Sequence, residues 1–202
     1  MKRLPFLLLI ALTIAANAVS QSGRRVTPST TAPAPIQPPT NPEPTPTQPK
    51  PAPGPLRFVP ERLLERRIRS LDDNGFRLAD FQGKVLVINL WASWCGPCRR
   101  EIPEYEKVRK DYAGRNVEFI GLTTEDPAGA TQRVNKFVRD TGFGFLLGWA
   151  DSEMARMLMN GKSSIPQTLV IDGGGSIVNH WAGYSPKEGG NRLRDAIDNA
   201  LR

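Results

Sequence analysis

Cys95 and Cys98 are the only two cysteines in this chain of 202 residues, and they are separated by Gly96 and Pro97. Two thiols at this spacing can carry out disulfide exchange, because one thiolate attacks a disulfide and the other then resolves the mixed disulfide. The sequence places Cys95 at the start of a predicted helix. There, unpaired N–H groups and the helix dipole favour a thiolate and lower the thiol pKa. Cys95 is therefore the expected nucleophile, and Cys98, one turn further along, is the expected resolving cysteine.

Other roles for a cysteine pair fit this chain less well. A structural zinc site takes about four ligands, and His180 is the only histidine that could join the two cysteines, so no metal site is expected. A purely structural Cys95–Cys98 disulfide would stabilise little, because the gain grows with the length of the closed loop. His180 lies in a predicted strand, where an exposed or hydrogen-bonded histidine is expected.

Alternating strands and helices must position the pair. Apolar and β-branched runs predict strands at 85–91, 117–123, 167–172 and 176–183, with a short one within 143–148. Helical spacing predicts helices at about 95–113 and 128–141, from 151 to 158, and at the C-terminus. Asn74-Gly75 between short apolar runs predicts a β-hairpin over 71–84. These elements predict an α/β fold in which helices flank a central mixed β-sheet that carries an N-terminal β-hairpin extension.

The first 55 residues differ in composition from the rest. Residues 1–18 have the parts of a secretory signal, with Lys2 and Arg3 before an apolar stretch of 13 residues. Cleavage after Ala18 is expected. The alternative is an uncleaved membrane anchor, although a helix that crosses a bilayer needs ~20 apolar residues. Residues 26–55 hold 12 of the 19 prolines, so 19–55 is predicted to be a disordered linker and 56–202 the folded domain.

The positive charge of the chain does not indicate a nucleic-acid partner. The net charge is +7, but residues 1–55 carry five basic groups and one acidic group, whereas residues 56–202 carry 22 and 19. Most of the excess therefore lies in the leader and linker, and the domain lacks a strong basic bias.

The segment "NLWASWCGPCRREIPEYEKV" resembles the thioredoxin superfamily, and within it the TlpA/ResA/DsbE-like extracytoplasmic thiol–disulfide oxidoreductases, which include cytochrome c maturation reductases. "VEFIGLT", "SIPQTLVID" and "GGGSIVNHWAGY" extend the resemblance over 70–202. It implies a thioredoxin fold that uses no cofactor. It also implies a secreted or periplasmic location, or attachment to a membrane through the N-terminal segment.

The resemblance implies a substrate surface around the cysteines. Pro166 matches the family's cis-proline, which faces the disulfide, and Ile165 would offer backbone groups to a substrate that binds as an added strand. Trp94 is expected beside the disulfide, where it shapes the substrate surface. Gly96 allows a substrate chain to approach closely, and Pro97 lies in the first helical turn, where its missing N–H is harmless.

Glu101 matches a family glutamate that tunes the cysteine pKa or assists proton transfer. Cytosolic thioredoxins carry a buried aspartate six residues before the first cysteine, and this chain has Asn89 there. The missing aspartate strengthens the case for Glu101. Glu104 and Glu106, on the same predicted helix, are expected to be solvated.

The Gly-Pro dipeptide between the cysteines predicts the direction of the reaction. Strong oxidants of the superfamily often carry a histidine there, whereas reducing thioredoxins carry Gly-Pro. The chain is therefore predicted to be a reductase of protein disulfides, and it is separately expected to be a monomer. Apocytochrome c is the leading candidate substrate, and a membrane-bound partner would supply electrons.

Two alternatives remain at the level of sequence. A peroxiredoxin-like peroxidase would need a proline and a threonine or serine ahead of the reactive cysteine, where this chain has Ile88 and Ala92. A redox-inactive binding module or chaperone could use the same fold, although such modules usually lose one or both cysteines.

Overall fold

The computed structural model describes residues 56–202. The predicted signal at 1–18 and linker at 19–55 lie outside the described residues. Within 56–202, no helix is long and apolar enough to cross a bilayer.

Six strands form one mixed sheet in the order β1-β4-β3-β2-β5-β6. The central strands β2, β3 and β4 are parallel, whereas β1, β5 and β6 pair antiparallel to their neighbours. The strands are β1 (Arg69–Ser70), β2 (Val85–Trp91), β3 (Val117–Thr123), β4 (Leu146–Trp149), β5 (Gln167–Ile171) and β6 (Ile177–Ala182). The helices are α1 (Glu61–Leu64), α2 (Gly96–Asp111), α3 (Pro127–Thr141), α4 (Ser152–Leu158) and α5 (Gly189–Ala200).

Strand β2 runs through the middle of the core, and all seven of its residues are buried. Its alternate side chains enter two apolar clusters, as the two-residue period of a strand requires. Val87 and Trp91 pack with residues of α2, α3 and α5, whereas Leu86, Ile88 and Leu90 pack with residues of α1 and α4. This burial on both faces explains why the sequence of β2 is apolar at every position except Asn89.

The predicted α/β architecture is confirmed, and β2 and β3 have the predicted bounds. The N-terminal hairpin is shorter and lies earlier than 71–84: Ile68 and Phe76 form a single antiparallel bridge around the turn. Leu78–Phe81, which the sequence placed in the hairpin, is a 3-10 helix. The backbone N–H and guanidinium of Arg77 both donate to the Asp80 carboxylate, which stabilises this helical turn.

Short segments pair with the two outermost long strands. The two residues of β1 pair with Gly148 and Trp149 of β4. On the other side of the sheet, the N–H of Ile177 donates to the carbonyl of Arg57 at 2.8 Å, and Phe58 bridges Ser176.

Candidate active site

The cysteine pair lies at the junction of β2 and α2. Cys95 is the N-cap residue of α2, with an extended backbone, and its Sγ accepts a hydrogen bond from the N–H of Cys98 at 3.2 Å. The two cysteines form a disulfide. Cys98 is fully buried, whereas Cys95 keeps 4% of its surface exposed. The sulfur nearer to solvent is therefore the one at the helix N-terminus, where a thiolate is best stabilised.

An exposed surface surrounds Cys95. Trp94 is 69% exposed, and among residues 56–202 only it and Phe58 are large hydrophobic side chains with such exposure. Gly96 and Pro97 are also exposed. The exposed indole of Trp94, next to Cys95 in the chain, can hold a peptide while exchange takes place, since aromatic side chains supply much of the contact energy of interfaces.

The predicted cis-proline lies just before β5. The Ile165–Pro166 peptide bond is cis, and Ile165 packs against the apolar cluster that contains both cysteines. The carbonyl of Pro166 accepts a hydrogen bond from the N–H of Gly183 at 2.7 Å. Pro166 is thus held between β5 and the loop that follows β6.

Glu101 lies one turn after Cys98 on α2 and is 1% exposed. Its Oε2 accepts a hydrogen bond of 2.9 Å from the Asn89 side-chain amide, which also donates to Thr168. Its Oε1 has no hydrogen-bond partner among the described residues. Burial raises the pKa of Glu101 to about 7, although the hydrogen bond from Asn89 acts in the opposite direction. The carboxyl group can therefore gain or lose a proton near neutral pH.

A cavity of about 160 Å³ reaches Glu101 from the side of β6 and α5, and Tyr105, Trp181 and Tyr184 also line it. The Tyr184 hydroxyl donates to Glu104 at 2.5 Å, and burial together with this bond raises the pKa of Tyr184 to about 12. Sequence reasoning missed these tyrosines as neighbours of the site. Tyr105 follows Glu101 by four residues on a helix, and this spacing was the available signal.

The expectation that Glu106 is solvated is wrong. Glu106 is 7% exposed, and its carboxylate accepts from the N–H of Gly144 at 2.7 Å and from Arg109 at 3.0 Å. These two donors compensate a buried charge. Glu104 is partly exposed, and its carboxylate accepts the hydrogen bond from Tyr184. It is therefore not fully solvated either.

A further buried carboxylate, Glu125, was not predicted. It is 7% exposed and binds Ser93, two residues before Cys95. His180 is half-buried and lies 2.8 Å from the Gln167 side-chain oxygen through its Nε2, so it is hydrogen-bonded as expected. Burial lowers the pKa of His180.

Known proteins that are similar to this chain include thiol–disulfide oxidoreductases. A model of the AhpC/TSA family matches residues 60–180. The thiol-disulfide oxidoreductase ResA of Geobacillus thermodenitrificans is 28% identical over 121 residues, which cover 60% of this chain and 67% of that protein. The thiol:disulfide interchange protein HelX of Rhodobacter capsulatus is 33% identical over 101 residues, which cover 50% of this chain and 53% of HelX.

Solved structures share the fold. A thiol:disulfide interchange protein of the thioredoxin family from Chlorobium tepidum TLS superposes with a TM-score of 0.60 at 25% identity, covering 74% of this chain and 97% of that one. A putative DsbE from Chlorobium tepidum gives a TM-score of 0.59 at 22% identity over 68% of this chain and 93% of its own. The described domain is therefore similar to thioredoxin-fold proteins along nearly their whole length.

Proposed function

We propose that this chain, which belongs to the AhpC/TSA family of the thioredoxin superfamily, is an extracytoplasmic thiol–disulfide oxidoreductase. Its proposed activity is the reduction of protein disulfides. One observation carries the proposal: Cys95 caps the N-terminus of α2, within bonding distance of the more buried Cys98. This arrangement provides a stabilised thiolate and a resolving thiol in one helical turn.

The reaction transfers two electrons to the substrate. In the reduced protein, the Cys95 thiolate attacks one sulfur of a substrate disulfide, forms a mixed disulfide and releases the first substrate thiolate. The Cys98 thiolate then attacks the Cys95 sulfur. This step forms the Cys95–Cys98 disulfide and releases the second substrate thiolate. The protein ends oxidised by two electrons, and a dithiol donor must reduce it before the next cycle.

Glu101 is proposed to accept the proton of Cys98. Both side chains are buried on α2 and are separated by one turn, so they lie on the same side of the helix. Cys98 must lose its proton before it can attack Cys95, and a buried thiol resists ionisation. A carboxylate with a pKa of about 7 is matched to proton transfer at neutral pH.

The exposed residues around Cys95 are proposed to bind the substrate. Trp94, Gly96 and Pro97 supply an accessible surface on one side of the sulfur. Ile165, before the cis-proline Pro166, is proposed to offer its backbone groups to an extended substrate segment, as in β-strand addition. Backbone recognition tolerates many sequences, which suits a reductase that acts on unfolded chains.

The sequence resemblance supports apocytochrome c as the substrate and a membrane-bound dithiol protein as the donor. Gly96-Pro97 between the cysteines supports the reducing direction, since a histidine there is associated with strong oxidants. A measured reduction potential above about −150 mV, near that of the oxidant DsbA, would contradict this direction.

Reduction of insulin disulfides by the full chain, with dithiothreitol as the electron source, tests the proposed activity. Wild-type protein should accelerate the reaction, and Cys95→Ser should abolish the acceleration. Cys98→Ser should instead trap a mixed disulfide through Cys95, which mass spectrometry would identify. If wild-type protein did not accelerate reduction and Cys98→Ser did not form this adduct, a redox-inactive binding module would be favoured.

A further inference from the structure

The carboxylate of Glu125 is buried beside the turn that carries the reactive cysteine. Glu125 follows β3 by two residues, and its side chain is 4% exposed. It accepts a hydrogen bond from the backbone N–H of Ser93 at 2.5 Å and another from the Ser93 hydroxyl at 3.0 Å. Arg133 of α3 donates to the same carboxylate at 2.6 Å. The Thr123 hydroxyl also donates to this carboxylate, at 3.4 Å. Four donors thus converge on one buried charge, which compensates its desolvation.

Ser93 belongs to the turn that links β2 to the reactive cysteine. The N–H of Cys95 donates to the carbonyl of Ala92 at 3.1 Å, which closes the turn over Ser93 and Trp94. The N–H of the second residue of such a turn makes no bond within the turn, and here Glu125 accepts it. Trp94, next to Ser93, is exposed. The bonds to Ser93 are therefore positioned to fix this turn.

Thr124, which precedes Glu125, also joins the segment after β3 to the end of β2. The N–H of Thr124 donates to the carbonyl of Trp91 at 3.0 Å, so the segment after β3 is joined to the end of β2 as well as to the turn. Arg133 donates in addition to the carbonyl of Gly129 at 2.6 Å, which ties the carboxylate to the first turns of α3. The reactive turn is thereby connected through Glu125 to two packed elements of the core.

We propose that Glu125 is a positioning residue for disulfide exchange: by holding Ser93 at both of its donors, it orients Trp94 and Cys95 toward the substrate. The inference rests on the proposed oxidoreductase function and extends it to a residue 30 positions after Cys95. Glu125 does not touch the reacting sulfurs in this scheme. It fixes the position and angle at which the Cys95 thiolate attacks the substrate disulfide. The rate of such a reaction depends strongly on this geometry.

Glu106 provides a matched control for a purely structural role. Its carboxylate is also buried, and it also accepts from one backbone N–H, that of Gly144, and one arginine, Arg109. Gly144 precedes β4, whereas Glu125 follows β3, so the two carboxylates lie at opposite ends of the parallel strands. Glu106→Gln should disturb folding as much as Glu125→Gln does, without reaching the reactive turn.

The test measures the second-order rate constant with which reduced full-length protein cleaves a disulfide-linked peptide, as a function of pH. Glu125→Gln should lower the plateau at high pH, where Cys95 is fully ionised, by about tenfold, and Glu106→Gln should stay within about twofold of wild type. A purely electrostatic effect would look different. Removal of a negative charge near Cys95 favours its thiolate, so it moves the inflection to lower pH and lowers the plateau by only about threefold for each unit of that shift. A tenfold lower plateau with an unmoved inflection therefore indicates positioning.

Ser93→Ala keeps the test decisive if Glu125→Gln does not fold. This variant removes only the hydroxyl donor on a partly exposed turn, and it should lower the same plateau by about threefold, a smaller loss because the backbone bond remains. A plateau within the error of wild type for Ser93→Ala and for any folded Glu125→Gln would overturn the proposal. An equal loss in Glu106→Gln would also overturn it.

Amide hydrogen exchange of Ser93, measured by NMR on the oxidised protein, separates this inference from the proposed function. Glu125→Gln should raise the exchange rate of the Ser93 amide by at least about tenfold, while Glu106→Gln leaves it unchanged. If wild-type protein failed to cleave the peptide, the proposed function would be refuted, even if the Ser93 amide exchanged slowly. If wild-type protein cleaved it and Ser93 exchanged equally fast in wild type and Glu125→Gln, only the role of Glu125 would fall.

Discussion

Replacement of Glu101 by glutamine should change how the stability of the oxidised protein depends on pH. Glu101 is almost completely buried, and burial raises its pKa to about 7 from an ordinary value of 4.5. Glutamine has nearly the same size and does not ionise. The variant therefore removes the proton equilibrium while it largely preserves the packing around Asn89 and Tyr105.

The sign follows from the difference in proton affinity between the two states. Below pH 4.5 the carboxyl is protonated in both the folded and the unfolded protein, so it imposes no penalty. As the pH rises from 4.5 to 7, the unfolded chain ionises while the folded protein keeps its proton, and the folded state loses stability. Above pH 7 both states are ionised and the penalty is constant. With 1.36 kcal/mol for each pKa unit, wild type should lose about 2.5 kcal/mol relative to Glu101→Gln between pH 5 and pH 8.

Urea unfolding of the oxidised proteins at a series of pH values measures this difference. The free energy of unfolding of wild type, minus that of Glu101→Gln, should fall through the interval from pH 5 to pH 7 and then level off. His180 and the other titratable groups are common to both proteins, so their contributions cancel in the difference. The disulfide remains intact, so no thiol titrates.

A constant difference between the two proteins across this pH range would refute the reasoning. It would mean that Glu101 has the same pKa in the folded and unfolded states, and that burial does not hold its proton. The proposal that Glu101 accepts a proton from Cys98 near neutral pH would then lose its physical basis.

Three further substitutions test other parts of the structure. Trp94→Ala should slow cleavage of a peptide disulfide by about tenfold but leave cleavage of a small symmetrical disulfide unchanged; equal slowing of both would contradict a role in peptide binding. Gly121→Ala places a Cβ 2.6 Å from the Leu147 side chain and should lower the free energy of unfolding, measured in urea, by about 1–3 kcal/mol. An unchanged midpoint would show that the neighbouring side chains can move to accommodate the methyl group. Asp151→Ala removes the bond that caps α4 at the N–H of Met154 together with the exposed ion pair to Arg66, and it should cost about 1 kcal/mol, mostly through the cap. Unchanged stability would show that neither interaction contributes.

The reactive segment could be predicted from sequence because its signals are local. A stretch rich in β-branched and apolar residues predicted β2, and Pro97 with the helical spacing of Ile102 and Tyr105 predicted α2. The position of Cys95 at the helix N-terminus follows from these two elements alone. The cis bond before Pro166 was predicted from the resemblance of its motif rather than from local physics.

Contacts between distant residues could not be predicted in the same way. Glu125 and Ser93 are 32 positions apart, and Glu106 and Gly144 are 38 apart. Each glutamate looks like an ordinary surface residue until the fold brings a backbone donor to it. The hairpin at 71–84 was placed too late because the pairing of Arg77 with Asp80 favours a helical turn where the apolar pattern indicated a strand.

The short segments that pair with the outer strands also limit aggregation through the edges of the sheet. An open strand edge is a template on which another polypeptide can polymerise. β1 occupies the exposed side of β4, and Arg57 and Phe58 pair where β6 begins. Another polypeptide that approaches either edge therefore finds part of the hydrogen-bonding capacity of the sheet already occupied. Edge-to-edge association through β4 or the start of β6 is thereby disfavoured.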